Sequence, residues 1–99
     1  MPTVFEWNER KDRANRKKHG VGFSEAALVF FDPLARIFPD EDHSIDEYRE
    51  IIIGRSPANR LLIISFIESA TAAVRIISAR KVTKREQQDY EENLRKQKT

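Results

Sequence analysis

The sequence predicts an α+β fold: a four-stranded antiparallel sheet with two N-terminal helices and a C-terminal helix. Three observations carry this. Four short runs rich in Ile, Leu, Val and Phe lie between residues 34 and 79, joined by links too short for the crossover that parallel neighbours need. The stretches before and after them are charged and bounded by helix-capping residues. The chain has 99 residues, a length that serves one hydrophobic core, so residues 1–99 are read as a single domain.

Residues 4–7 read as a short strand. Asn8 is a good N-cap for a helix reaching about Lys18, and Gly20 supplies a left-handed C-cap. Ala14 is the only apolar residue from Asn8 to His19, so this helix belongs on the surface, lightly docked. Ser24 can cap a second helix, nearly all apolar, over residues 25–31, which Asp32-Pro33 stops. Strands are expected over 34–38, 48–53, 61–67 and 74–79, with 61–67 the most apolar and central. Thr83 and Glu86 have the spacing of a capping box for a last helix ending near Gln97. On it Val82, Glu86, Tyr90 and Leu94 share one stripe.

The absence of Cys excludes disulfides, thiolate metal sites and a Cys nucleophile. No apolar run approaches the ~20 residues that span a bilayer, and the N-terminus lacks the basic-then-apolar pattern of a signal peptide. A cytoplasmic protein with no membrane partner is expected. Net charge is only +2, but it is polarised: residues 10–18 carry +5, residues 24–50 carry −6 and residues 80–98 carry +3. Such a dipole suits a polyanion on one surface and a basic protein on another, although charged helices that merely keep a protein soluble are the plainer reading.

His19 and His43 are the obvious acid–base candidates, since histidine ordinarily titrates near neutrality. A helix-end residue and a loop residue are the plainer readings. Their spacing is no metal motif, and Asp40, Glu41 and Asp42 lack EF-hand spacing, so no metal or cofactor is expected. There is no Gly-rich phosphate loop and no G-x-S-x-G turn. Arg75, Arg80, Glu86 and Tyr90 form the more telling set. Arg75 sits in an otherwise apolar strand and Glu86 on an apolar stripe, so a structural Arg–Glu pair is the plainer reading. The functional reading is a phosphate site in which Arg stabilises a phosphorane and Tyr90 stacks on a base or donates a hydrogen bond. Trp7 either stacks on unpaired bases or packs at a core edge.

Phe5-Glu6-Trp7-Asn8, Lys11, Asn15, Lys18-His19-Gly20-Val21 and Phe23-Ser24-Glu25-Ala26 open a longer pattern. It continues through Val29-Phe30, Asp32-Pro33, His43-Ser44, Glu47, Arg49, Gly54, Ser56 and Arg60-Leu61-Leu62. Arg75-Ile76-Ile77-Ser78-Ala79-Arg80, Glu86 and Tyr90-Glu91 close it. In order and spacing the whole resembles the BrnT family of bacterial toxins. The resemblance implies a RelE-like microbial ribonuclease fold, a type II toxin and endonucleolytic RNA cleavage that halts translation. It also implies a BrnA-like antitoxin that blocks the toxin, operator DNA reached only through the antitoxin complex, and room for a homodimer within that complex.

The resulting expectation is a metal-independent endoribonuclease. Arg75 and Arg80 would stabilise phosphate, with His19, Glu86 and Tyr90 as candidates for proton transfer or positioning. Lys11, Lys17, Lys18 and Trp7 would bind RNA. The rival class is a non-enzymatic nucleic-acid-binding or co-repressor module, which needs the basic ends but no catalytic group.

Overall fold

The computed structural model describes residues 3–43 and 47–96, and of His43 the backbone only. The chain runs β1 (Phe5–Glu6), α1 (Glu9–His19), α2 (Phe23–Leu28), a 3-10 turn (Val29–Phe31), β2 (Arg36–Pro39), a second 3-10 turn (Glu41–His43), β3 (Glu50–Arg55), β4 (Leu61–Glu68), β5 (Val74–Lys81) and α3 (Lys84–Lys96). The strands form one sheet in the order β1-β5-β4-β3-β2. The antiparallel meander of β2 to β5 is as expected, and β4 is central. The sheet as a whole is not. β1 adds a fifth strand parallel to β5, Phe5 opposite Val74 and Glu6 opposite Arg75. The fold is therefore α+β with a five-stranded mixed sheet, and the expected four-stranded, wholly antiparallel, RelE-like layout does not match in detail. A two-residue strand could join β5 in parallel because α1 and everything after it form the crossover.

The pleat sends alternate residues to two faces. Ile52, Leu62, Ile64, Phe66, Ile76 and Ala79 face Val21, Phe23, Ala26 and Val29 from the N-terminal half. The branched and aromatic ones among these are buried, each worth roughly 1.5–3 kcal/mol. Ile53, Leu61 and Ile63 face the other way and pack under Tyr90, Leu94 and Val82. Helices thus cover both faces, α3 alone on the second. Gly54 sits where the segment after α2 crosses the sheet. A Cβ there would lie 2.9 Å from Ala35 Cβ and 3.0 Å from Asp32 Oδ2, so only glycine lets that segment come so close.

Both helices at the chain ends are capped as their sequences imply. Asn8 Oδ1 accepts the Lys11 N–H at 3.1 Å, and Gly20 closes α1 with φ 71°. Thr83 Oγ1 accepts the Glu86 N–H at 3.1 Å while Glu86 Oε1 accepts the Thr83 N–H at 2.8 Å, the reciprocal capping box. The expected last residue, Gln97, lies outside the described residues. Ser24 does not cap α2. That helix starts at Phe23, and the cap comes from α1, where Asp12 Oδ1 accepts the Phe23 N–H at 2.8 Å.

With no apolar face, α1 docks through polar side chains. Asn15 is buried. Its amide donates to Val21 O at 2.8 Å and Ala79 O at 2.7 Å, and its Oδ1 accepts the Ala79 N–H at 3.2 Å. Asn15→Ala would strand those three buried backbone groups, at about 1–3 kcal/mol for a group left bare and less where water enters. We expect a loss of about 2–4 kcal/mol in urea denaturation, against ~0.5 kcal/mol for the exposed Arg13→Ala. Equal effects of the two substitutions would contradict this anchoring role.

Candidate functional site

The α3 side of the sheet carries the best-defined polar group among the predicted residues. Arg80 lies opposite Ile63 on β4 and points to the first turn of α3. Its Nη1 donates to Glu86 Oε1 at 2.8 Å and its Nη2 to Oε2 at 2.9 Å, a two-point fork, with Lys81 O taking a further Nη1 bond at 3.1 Å. The Arg80 guanidinium, with help from the Thr83 backbone, holds the Glu86 carboxyl down to about 2. The expected Arg–Glu pair therefore exists, but Arg80 makes it and not Arg75.

Tyr90 lies one turn beyond Glu86 and is buried, its hydroxyl donating to Leu34 O at 2.9 Å. Burial first, then the Asp32 charge, pushes the Tyr90 phenol up from its ordinary value. Beside it a groove of about 280 Å³ runs over Ile51, Ile53, Ile63 and Phe38, with Glu86, Asp89 and Asn93 on its lip. Its floor is apolar and its charged lip is acidic.

Arg75 is exposed, with Ile67 of β4 and Glu6 of β1 as register neighbours. Arg75 and Arg80 share the α3-side face but are separated by four positions of β4, about 13 Å. Between them Ser65 and Ser78 stand opposite one another, next to a register shift that leaves Ile77 without a partner on β4. The two arginines thus mark separate ends of a half-open face.

Lys11, Lys17 and Lys18 are all exposed on α1, and His19, its last residue, is half-buried. Trp7 is half-buried, edge-on to Phe23 at 6.3 Å, and belongs to the core edge. Among the described residues no three His, Asp or Glu side chains gather as a metal site, and no helix is long and apolar enough to cross a membrane.

In the sequence Asp32 reads as a helix stop, and Asn15, Glu25, Ser56 and Arg60 stand only in the family pattern. The structure gives them work. Glu25 Oε2 accepts from Ser56 Oγ at 2.7 Å and Arg60 Nε at 2.9 Å, its Oε1 takes Arg60 Nη2, and that same nitrogen reaches Gly20 O at 3.0 Å. The Arg60 guanidinium holds Glu25 below the usual carboxylate range. Asp32 accepts the Leu34 and Arg55 N–H groups at 3.0 and 2.7 Å. Glu25, Asp32, Ser56 and Arg60 sit at or near element boundaries, which says that a cap or tie is needed but not which partner it meets, while Asn15 shows only as a polar residue in a helix with no apolar face.

The family model described as ribonuclease toxin, BrnT, of type II toxin-antitoxin system matches residues 7–86. The crystal structure of the Brucella abortus ribonuclease toxin BrnT is similar with a TM-score of 0.65 and 24% identity, covering 84% of this chain and 100% of that one. At that identity the likeness bears on the fold alone. No curated protein matches the sequence.

Glu86 has a depressed folded-state pKa, so its pairing stabilises the protein above the ordinary carboxylate value of 4.5 and is lost as pH falls through about 2. Glu86→Gln should cost about 1–2 kcal/mol near neutrality, at the low end for charged hydrogen bonds because the Arg80 side chain is 40% exposed. It should also flatten the acid limb of a stability-against-pH curve in that window. Denaturant melts across the acid range check both effects, and an unchanged limb would contradict the pairing.

Proposed function

The chain belongs to the BrnT family of ribonuclease toxins of type II toxin–antitoxin systems, and from that premise we propose that it is a metal-independent endoribonuclease that halts translation by cutting RNA. The family match over residues 7–86 is the observation that carries this reading. We read residues 1–99 as one toxin domain. Type II membership implies a protein antitoxin; in our reading it is BrnA-like, blocks the toxin and brings it to operator DNA, with a homodimer formed inside that complex.

Cleavage proceeds by attack of the RNA 2′-oxygen on the adjacent phosphorus. The P–O5′ bond breaks, the 2′-proton passes to a base, and the leaving 5′-oxygen takes a proton. Arg80 supplies positive charge to the phosphorane, and Arg75 meets the RNA further along the same face. Glu86 is a weak base because its partner keeps it ionised; its task is to aim the Arg80 fork. His19, at the end of α1, stays a candidate for proton transfer or positioning. Tyr90, bound to Leu34 O, braces α3 against the sheet. Lys11, Lys17 and Lys18 attract the phosphate chain, and Trp7 holds the start of α1 against the core.

RNA cleavage by the purified chain should persist in EDTA, and single-stranded DNA of the same sequence should survive, because it has no 2′-hydroxyl. Activity that vanishes in EDTA and returns with Mg²⁺ would overturn the metal-free route. Arg80→Ala should lower RNA cleavage by ~100-fold or more per folded molecule, as for loss of one charge-stabilising donor. Full activity in that variant would remove Arg80 from the site and favour a binding module.

A further inference from the structure

Three adjacent strands deliver their last or first residues to one end of the sheet. β3 ends at Arg55, opposite Leu61 at the start of β4, and β5 ends at Lys81, opposite Leu62. A concavity of about 340 Å³ opens there, lined by Arg55, Asn59, Arg60, Lys81 and Gln87 around Leu61. Three of these side chains are cationic, and no carboxylate lines the concavity among the described residues. Glu25, which Arg60 binds, already has both oxygens occupied.

Arg55 and Lys81 are exposed, and among the described residues their side chains donate no hydrogen bond within the chain. Their backbones hold the fold instead: the Arg55 N–H bonds to Asp32 Oδ2, and Lys81 lies in the ladder with β4. Asn59 stands in the turn with φ 61°, its N–H on Ser56 O at 2.9 Å, and presents its amide at the rim. A planar fork, an ammonium and two amides around an open hollow match the oxygens of a flexible phosphodiester chain.

The surroundings extend this match. Arg60 reaches Gly20 O, which joins the concavity to the end of α1, where Lys17 and Lys18 are exposed. Lys84 and Arg85 begin α3 just past β5 and are exposed too. The groove under α3 is the opposite case, with Glu86 and Asp89 on its lip and no cation among its lining residues. Lys81 directly follows Arg80 in the chain, and the pleat sends the two side chains to opposite faces, so the concavity lies at the end of the sheet and not on the face that carries the Arg80–Glu86 fork.

We propose that this concavity is a subsite for the phosphodiester backbone of single-stranded RNA, with Arg55 and Lys81 as its charged contacts. It rests on the ribonuclease reading above and gives that reading a place where substrate is held. The test measures binding of a fluorescently labelled single-stranded RNA by anisotropy over a salt series, with 2′-O-methyl groups throughout so that it is not cut. Arg55→Ala and Lys81→Ala should each lower the slope of log affinity against log salt by about 0.7, and the double variant by about twice that. Arg95→Ala, in the last turn of α3, should leave the slope in place, and melting midpoints should not move. Arg55→Gln and Lys81→Gln should repeat the loss with longer neutral side chains; if they bind like wild type, the Ala effect is packing and the subsite falls. It also falls if Arg95→Ala loses as much slope, since that is net charge alone, or if the double variant binds RNA normally while its antitoxin complex weakens. Normal slopes in the variants with intact cleavage by wild type would refute the subsite and spare the ribonuclease reading. Failure of the wild type both to bind this RNA and to cleave its unmodified form would end both.

Discussion

β1 covers the edge of β5 only at Val74 and Arg75, so the rest of that edge would lie open beside a helix that has almost nothing apolar to offer it. Asn15 resolves both problems with one carboxamide. It pairs with the N–H and C=O of Ala79 as a neighbouring strand would, and it also takes the Val21 carbonyl. Asp12, one turn earlier, caps α2. The two side chains fix the corner between α1 and α2, which sets Val21 and Phe23 in the core and brings Gly20 within reach of Arg60. An apolar helix face would stabilise the same contact without direction. The amide reads two backbone groups at one residue of β5 and so sets the register of α1 as well as its attachment.

That register decides where charge goes. The cations of α1 cannot face the core, because the buried positions are taken by Asp12 and Asn15. They form an exposed bank that meets the end of the sheet at Arg60. On the opposite face α3 contributes both apolar cover and the carboxylate that holds Arg80. Glu86 serves twice there, as capping-box acceptor and as partner of the guanidinium, so the start of α3 and the aim of Arg80 are a single structural fact.

Much of the fold was legible in the sequence. Capping residues announced α1 and α3, and β-branched runs joined by short links announced the four-stranded meander. The short strand at residues 4–7 was legible, but a local pattern does not say which sheet edge a strand joins, so the parallel pairing of β1 with β5 was not. The cap of α2 was assigned to Ser24 because local pattern cannot see Asp12, eleven residues upstream. The candidate site was legible in composition and not in pairing. Arg75, Arg80 and Glu86 stood out as charges among apolar neighbours, but Glu86 meets the arginine at the end of β5, beside the first turn of α3, while Arg75 lies about 13 Å away along the strand. The family pattern carried the ribonuclease reading; physical reasoning alone reached a basic, polyanion-binding surface and stopped there.

The account turns on a 2′-oxygen attacking its neighbouring phosphorus beside Arg80. Mass spectrometry of the ends left on cleaved RNA tests that chemistry directly. The account predicts a 2′,3′-cyclic phosphate on one fragment and a 5′-hydroxyl on the other. A 3′-hydroxyl with a 5′-phosphate would mean that water was the nucleophile, and would contradict it.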